Sequence, residues 1–456
     1  MLSVLRNRTY RHLFAAQVVA LVGTGLATVA LALLAYDLAG ADAGAVLGTA
    51  LAIKMVAYVA VAPVAGALAG RVPQRALMVA ADLTRAGTAL ALPFVGRVWQ
   101  VYLTVFLLQA ASALFTPTFQ ATVPRVLPAE RDYTGALSLS RLAYDLESLF
   151  SPALAALLLT VVSYDWLFAG TVVGFLGSAA LVVSAVLPKA PPVDRPAGVR
   201  TGAAFGSRLF LATPRLRALL ALDLAVAAAG AIVFVDTVLV VREHFHRPAG
   251  DVSLALGAYG AGSMAAALLL PRVLVRVGDR AVMLAAALVM PAVLTAVAAV
   301  TAAPPSGWTW SALLAAWALV GAAGSAVLTP GGRVIRRSAG EADLPAAFAA
   351  QFSLSHSCWL LTYPLAGWLA AAAGLPVTAL ALGVLALAGA VAAAVLWPRR
   401  DPDALRHEHT DLPAGHPHLV GAAPSTAGAW SHGHHYVIDE HHHAWPRTRT
   451  PARTEP

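Results

Sequence analysis

Ten of the fourteen histidines fall between residues 407 and 443, in the units His407-Glu408-His409, His416-Pro417-His418, His432-Gly433-His434-His435 and His441-His442-His443. Imidazole suits nickel, copper and zinc, and His-x-His or His-His units on a polar chain can surround one ion. The units are dispersed among Asp, Glu and Trp, unlike the single terminal run of a purification tag. The segment reads as a flexible metal-binding tail, against the plainer reading of an incidental polar end. Binding is not transport: such a tail could collect, buffer or sense metal while a separate path carries the cargo.

A second set of reactive side chains stands inside apolar segments, where an ionisable group is costly and by default a functional candidate. Lys54 lies mid-segment, where insertion scales charge a lysine about 2.5–3.5 kcal/mol. Its charged form calls for a carboxylate partner, either in a static ion pair or in a gating or coupling role. Arg141, Tyr144, Asp145 and Ser148 follow at i, i+3, i+4 and i+7 on one helical face, where Arg141 and Asp145 can pair. Two readings stand here: a pair that locks an inner gate, or a carboxylate, Asp145 or Glu147, that exchanges protons. Asp223 is followed thirteen residues later by Asp236, a rise of about 20 Å. That places Asp236 near the membrane surface as an exposed carboxylate and leaves Asp223 the stronger candidate. Gln351, Ser355 and Cys358 share a face, with His356 about a hundred degrees from Ser355. His356 could hold a divalent ion or the coupled proton, or only bond a neighbouring helix. Separated by two residues, His356 and Cys358 do not chelate one ion on a regular helix. Gln17 and Gln109 complete the polar positions read as facing the path.

These groups need membrane-crossing helices to hold them. The 456 residues are 59% hydrophobic and 12% charged, against about 25% charged in soluble domains, which removes the ordinary soluble enzyme. A single cysteine excludes an intramolecular disulfide and a cysteine-built zinc or iron–sulfur site. The first apolar stretch, Leu13 to Tyr36, is too long for a signal-peptide core. With about 20 apolar residues per crossing, spans are expected near Leu13–Tyr36, Ala45–Ala69, Ala76–Val95, Trp99–Phe119, Ala136–Val161 and Trp166–Leu187. A second six follow at Leu216–Val241, Val252–Leu270, Ala281–Thr301, Trp310–Leu328, Ala346–Ala372 and Pro376–Trp397. The fold class is therefore all-α integral membrane with twelve transmembrane helices. Its parts are a bundle at 1–187, a linker at 188–214 with a short amphipathic helix near Phe205–Leu211, a bundle at 215–398 and the tail at 399–456. Arginines cluster in every second loop, at Arg71 and Arg75, Arg125 and Arg131, Lys189 to Arg217, Arg272 to Arg280, and Arg333 to Arg337. Positive charge stays on the cytoplasmic side, so both termini are expected there and the formal net charge of +8 is an orientation signal. The partners expected are the lipid bilayer and a small cargo, with no nucleic acid, and the chain is expected to be a monomer.

The halves repeat one another. Arg75-Ala76-Leu77-Met78 recurs as Arg280-Ala281-Val282-Met283, Thr116-Pro117 as Thr329-Pro330, and Ser138-Leu139-Ser140-Arg141 as Ser353-Leu354-Ser355-His356. The common order and orientation indicate two parallel six-helix repeats around a central cavity. With Gly66-Ala67-Leu68-Ala69-Gly70-Arg71-Val72-Pro73-Gln74-Arg75 between spans two and three, the chain resembles the major facilitator superfamily over about residues 1 to 400. Gly70 stands where that family's loop usually has aspartate, and Asp82 with Arg85, three apart on one helix face, could supply a substitute acid. A narrower resemblance joins Asn7-Arg8-Thr9-Tyr10-Arg11, Phe119-Gln120-Ala121-Thr122, the run Leu137 to Glu147 and the His416-Pro417-His418 tail to nickel-resistance exporters of the same superfamily. It implies efflux of nickel or a similar divalent cation, driven by the proton gradient with no other cofactor, across the cytoplasmic membrane.

Walker, nucleophile-elbow and HExxH motifs are lacking, and no enzymatic activity is expected. The rival to metal efflux is proton-coupled export of amphiphilic organic compounds, of drug or siderophore type, with the tail as metal buffer or sensor. Lys54 and the scarcity of acids within the spans favour this rival, and the tail favours metal. A third reading, a metal sensor merely anchored by its helices, needs far fewer than twelve spans.

Overall fold

The computed structural model describes the chain except residues 1, 41–42, 69–70, 189–198, 249, 403, 411, 414, 426–428, 440 and 447–456. Gly70 and Lys189 thus lie outside the described residues. Long apolar runs with few breakers form helices because only there are all backbone groups satisfied away from water. The N-terminal half consists of α1 (Arg8–Ala39), α2 (Ala43–Leu68), α3 (Gln74–Ala91), α4 (Val98–Val126), α5 (Glu130–Leu159) and α6 (Tyr164–Ser184). After the linker helix α7 (Val199–Ala212) come α8 (Pro214–Leu239), α9 (Gly250–Arg276), α10 (Asp279–Ala302), α11 (Gly307–Arg336), α12 (Leu344–Ala373) and α13 (Leu375–Leu396). Ends are set by local chemistry. The Asn7 side chain caps α1 by accepting from the Tyr10 amide at 3.0 Å, and Gly374, at φ +81°, turns the chain between α12 and α13 where a side chain would be strained.

Among the described residues, eleven helices are long and apolar enough to cross a membrane. The remaining one of the twelve expected, α12, has 30 residues but a mean hydropathy lowered by Gln351, Ser353, Ser355, His356 and Ser357. The repeat is visible in the packing: α1 lies against α6 as α8 lies against α13, and α3 against α4 as α10 against α11. The Thr-Pro pairs fall inside α4 and α11. Outward faces keep apolar side chains such as Phe94, Val161 and Val395 exposed, as an apolar surrounding favours.

Small residues let the helices approach closely. A Cβ on Gly262 of α9 would collide with the Ala318 carbonyl of α11, and one on Gly321 of α11 with the Tyr259 carbonyl of α9. Gly321→Val is therefore expected to destabilise the C-terminal half by about 1–3 kcal/mol, the cost of overpacking a core, measured as a lowered unfolding temperature in detergent; an unchanged value would contradict this contact.

The halves meet through α2 with α12 and α5 with α9. The hydrogen bonds between them cluster from mid-depth to the face that carries both termini. At that face Arg125 donates to the Glu341 carbonyl at 2.7 Å, Arg336 to the Pro128 carbonyl at 2.6 Å, and Arg333 to Thr134. A Cβ on Gly66 of α2 would sit 2.9 Å from Ala346 Cα of α12, and Gly206 of α7 presses on the Ala346 carbonyl. The structure is thus closed at the terminal face, with α7 wedged against α2 and α12.

The tail differs from its expected flexibility. Strands β1 (Ala404–His409), β2 (Ala423–Pro424) and β3 (Trp430–His435) form an antiparallel sheet in the order β1-β3-β2. Tyr436 and Ile438 join the apolar core of the C-terminal half, with Leu405 and Trp445 against it. Asp401 pairs with Arg215 at 3.4 Å and accepts from Trp397 Nε1 at 3.2 Å. These contacts hold a segment whose polar composition alone does not predict structure.

Candidate functional site

Mid-depth between the halves, α2 and α5 bring Lys54 and Glu147 into one region, where Glu147 is the charge that acts on Lys54. The ammonium also stands over the Tyr58 ring, 5.7 Å from its centroid. Glu147 reaches towards Gly25 of α1, where a Cβ would lie 2.9 Å from its Oε1. Gln17 of α1 accepts from Ser140 Oγ of α5 at 2.9 Å, and Gln109 of α4 accepts from Tyr58 Oη at 3.2 Å. The polar positions read from the N-terminal half therefore occupy one neighbourhood.

Arg141 and Asp145 pair within α5 at 3.1 Å, and a residue absent from the sequence reading joins them across the halves. Ser263 of α9 donates to Asp145 Oδ2 at 2.7 Å and accepts from Arg141 Nε and Nη2 at 3.0 and 2.9 Å. Its hydroxyl ties this α5 ion pair to α9 across the interface. A serine among apolar residues gives little signal of this, because its partners lie more than a hundred residues away in sequence.

In the C-terminal half, Gln351 Nε2 of α12 donates to Asp223 Oδ2 of α8 at 2.7 Å. Asp223 is buried, and its Oδ1 has no hydrogen-bond partner among the described residues. Asp236 is a correction: it is 3% exposed, and its Oδ2 is buried with no partner among the described residues. Arithmetic along the helix gave its depth but not the side of α8 it occupies, and the neighbouring Thr237 is bonded by Trp317 Nε1 of α11 at 2.8 Å. His356 donates from Nδ1 to the Phe352 carbonyl at 2.6 Å, and its ring contacts Tyr58 and Phe352 at centroid distances of 4.8 and 4.2 Å. Cys358 Sγ donates to the Leu354 carbonyl at 3.5 Å, a filler's role.

Above this level the aromatics gather. Phe234 of α8, Tyr259 of α9, and Trp359 and Tyr363 of α12 touch at centroid distances of 5.2 Å for Phe234–Tyr259, 5.9 Å for Phe234–Trp359 and 5.1 Å for Trp359–Tyr363. Phe234 remains 49% exposed, so the cluster borders open space. Its missed signal is the spacing of Phe352, His356, Trp359 and Tyr363 at i, i+4, i+7 and i+11, one stripe along α12.

Of the loop positions, Gly66 stands at the α2–α12 contact, Arg71 is exposed, and Arg75 donates to the Ala185 carbonyl. Asp82 does not act in that loop. It is fully buried, paired with Arg85 and bonded by Ser178 Oγ at 2.8 Å. The Arg85 guanidinium lies between the rings of Phe115 and Phe175 at 4.5 and 4.4 Å. This is an ion pair internal to the N-terminal bundle, spent on packing α3 against α4 and α6.

Among the described residues, the His, Cys, Asp and Glu groups close enough to hold a metal ion lie in the tail: His407, His418, His434 and His442, and alternatively His407, His409, His418 and His432, with ligand atoms within 4.8 Å of one another. Burial, then the neighbouring imidazoles, pushes His407 and His418 down to about 4, leaving them neutral as metal ligands must be. Burial opposes the Asp439 carboxylate, yet hydrogen bonds from His442 and the His441 and His442 amides hold it at about 2. His416 and His441 are in ring contact at 5.1 Å beside this centre, while His443 is exposed and His435 carries its carbonyl to His434.

The sequence matches the profile of the Major Facilitator Superfamily over residues 13–241 and 224–432. It is 26% identical over 182 residues to the macrolide efflux protein A of Streptococcus pyogenes and 28% over 153 residues to that of Enterococcus faecalis. These alignments cover 39% and 31% of this chain, and the chain spans only 44% and 47% of those relatives. The human organic anion transporter MFSD10 superposes with a TM-score of 0.72 at 13% identity, over 85% of this chain and 99% of its own. The Escherichia coli fucose:proton symporter superposes at 0.65 and 16%, over 85% and 98%. Two six-helix repeats, the profile match across both and the shared architecture lead to one conclusion: this multi-pass membrane protein belongs to the Major Facilitator Superfamily, whose members are transporters and not enzymes.

Proposed function

We propose that the chain exports amphiphilic organic compounds across the cytoplasmic membrane in exchange for protons, with both termini cytoplasmic and the histidine tail as a metal buffer or sensor. The observation that carries this reading is the cluster of Phe234, Tyr259, Trp359 and Tyr363, with Phe234 half-exposed. Flat aromatic faces bind large apolar bodies with few directional demands, and the buried acid Asp223 lies nearer the terminal-face end of α8 than Phe234 does. The macrolide efflux relatives support the same class of cargo. Nickel, expected from the narrower resemblance, is not adopted as cargo: among the described residues the metal-competent groups lie in the tail, and Lys54 would repel a cation on the path. With cytoplasmic termini, the closed terminal face makes this a state of the alternating-access cycle that is shut to the cytoplasm.

The test is accumulation in cells lacking their own efflux systems, with a macrolide and a lipophilic dye set against nickel, cobalt and zinc. The intact chain and a version ending at Asp401 should both lower the organic compounds and leave the metals unchanged; lowered metals with unchanged organics would overturn the reading. Trp359→Ala is expected to raise the KM for the organic cargo roughly three- to tenfold, the loss of about 0.5–1.5 kcal/mol of aromatic contact, with a smaller change in maximal rate.

A further inference from the structure

The tautomers of the tail's central imidazoles can be read from their partners. His407 Nδ1 faces the Leu405 carbonyl at 3.1 Å, His434 Nδ1 the His435 carbonyl at 2.7 Å, and His442 Nδ1 the Asp439 carboxylate at 2.9 Å. Those oxygens only accept, so each Nδ1 carries a proton, and in the neutral ring that a metal requires each Nε2 presents a lone pair. Yet His407 Nε2 and His442 Nε2 stand 3.0 Å apart, and His434 Nε2 is buried with no hydrogen-bond partner among the described residues. Two lone pairs at that distance repel; a cation between them turns the contact into coordination. Carboxylate or carbonyl support behind a ligating imidazole is the usual outer shell of a metal site. Four imidazole ligands with no inner carboxylate suit zinc, copper or nickel, and do not suit calcium or magnesium.

The position of these ligands in the chain couples the ion to the rest of the protein. His434 and His442 bracket a short loop that carries Tyr436 and Ile438, the two side chains buried in the core of the C-terminal half. Trp445, just beyond, lies under the Arg215 guanidinium at 5.3 Å, and Arg215 pairs with Asp401 at the tail's root. A sheet of two six-residue strands and a two-residue one is too small to be stable alone, and an ion that joins strand and loop residues removes much of the entropy of ordering them.

Resting on the reading of the tail as metal-binding, we propose that one first-row transition-metal ion, held by His407, His418, His434 and His442, closes the 434–442 loop and thereby docks the tail on the C-terminal half. The tail is then a metal-dependent part of the transporter's terminal face.

The experiment uses the full chain in lipid nanodiscs, stripped of metal by a chelator and titrated with zinc, nickel or cobalt. Bound metal is counted by elemental analysis, and hydrogen exchange is followed in residues 430–446 and 210–218. One ion per chain is expected, with exchange in both segments slowed at least tenfold. His407→Ala with His442→Ala should abolish both effects, Asp439→Asn should weaken affinity by about 10- to 100-fold, and His443→Ala should change neither. Ile438→Ser should keep the ion while losing protection at 210–218. A bound ion with unchanged exchange would overturn the docking and leave metal binding intact. An ion retained by the double variant would overturn the ligand set. Failure of the native chain to bind any of the three metals would sink this inference together with the metal reading of the tail, while export of organic compounds would stand apart from all three results.

Discussion

Asp223→Asn is expected to uncouple export from the proton gradient while leaving the protein folded. The carboxylate sits in α8 with one oxygen bonded by Gln351 and the other bare. Asparagine preserves the shape and can still accept from Gln351, but it carries no proton. A charge at this depth is tolerated only when water or a partner reaches it, and rocking of the halves changes that access once per cycle. If one proton exchanges per cargo molecule, each unit of pH difference can sustain a tenfold cargo gradient, about 1.4 kcal/mol. In proteoliposomes with an imposed gradient of one unit, the native protein should approach that tenfold ratio and the variant should stay near one, with cargo binding little changed. A variant that still builds the gradient would remove Asp223 as carrier and move the role to Glu147, for which Glu147→Gln is the matching test.

Much of the fold is legible because bilayer thickness constrains helix length and because the repeat leaves matched words such as Arg75-Ala76-Leu77-Met78 and Arg280-Ala281-Val282-Met283. Depth was legible too: Lys54, Glu147, Asp223 and His356 lie within the helices, as their place in the apolar runs requires. Orientation around each helix was harder. Asp236 was expected to be exposed and is buried, since the packing of α8 against α11 is not written in the α8 sequence. The aromatic cluster draws on three helices, and in a chain this apolar an isolated Phe or Tyr looks like core; the stripe on α12 is its one periodic signal, and it went unread. Ser263 acts through distant partners. The tail sheet was invisible for a different reason: its strands are specified by converging imidazoles and by Tyr436 and Ile438, not by alternating hydrophobicity.

Arg333→Met is expected to open the terminal face. Its guanidinium bonds Thr134 and pairs with Glu130, both of α5, while Nε holds Asp279 of α10 at 2.8 Å. The first two contacts join the halves and must break when this face opens; the third lies within the C-terminal half and persists. A hydrogen bond to a charged donor is worth about 1.5–3 kcal/mol, whereas Glu130 is largely exposed and adds little. Losing the inter-half bonds should therefore shift the equilibrium roughly 10- to 100-fold towards the opposite state. The readout is maleimide labelling of Leu137→Cys, in a Cys358→Ala background, because Leu137 lies against Gly332 across the interface. Labelling should accelerate by the same factor. Arg333→Met also strands the buried Asp279, which can cost about 3–5 kcal/mol of stability, so Thr134→Val serves as the companion: it removes the inter-half bond and leaves the Arg333–Asp279 pair in place. It should accelerate labelling in the same direction by a smaller factor with little change in unfolding temperature. Unchanged labelling in both variants would mean that Arg333 does not hold the terminal face shut, leaving closure to the Arg125 and Arg336 bonds and to the close helix contacts at Gly66 and Gly206.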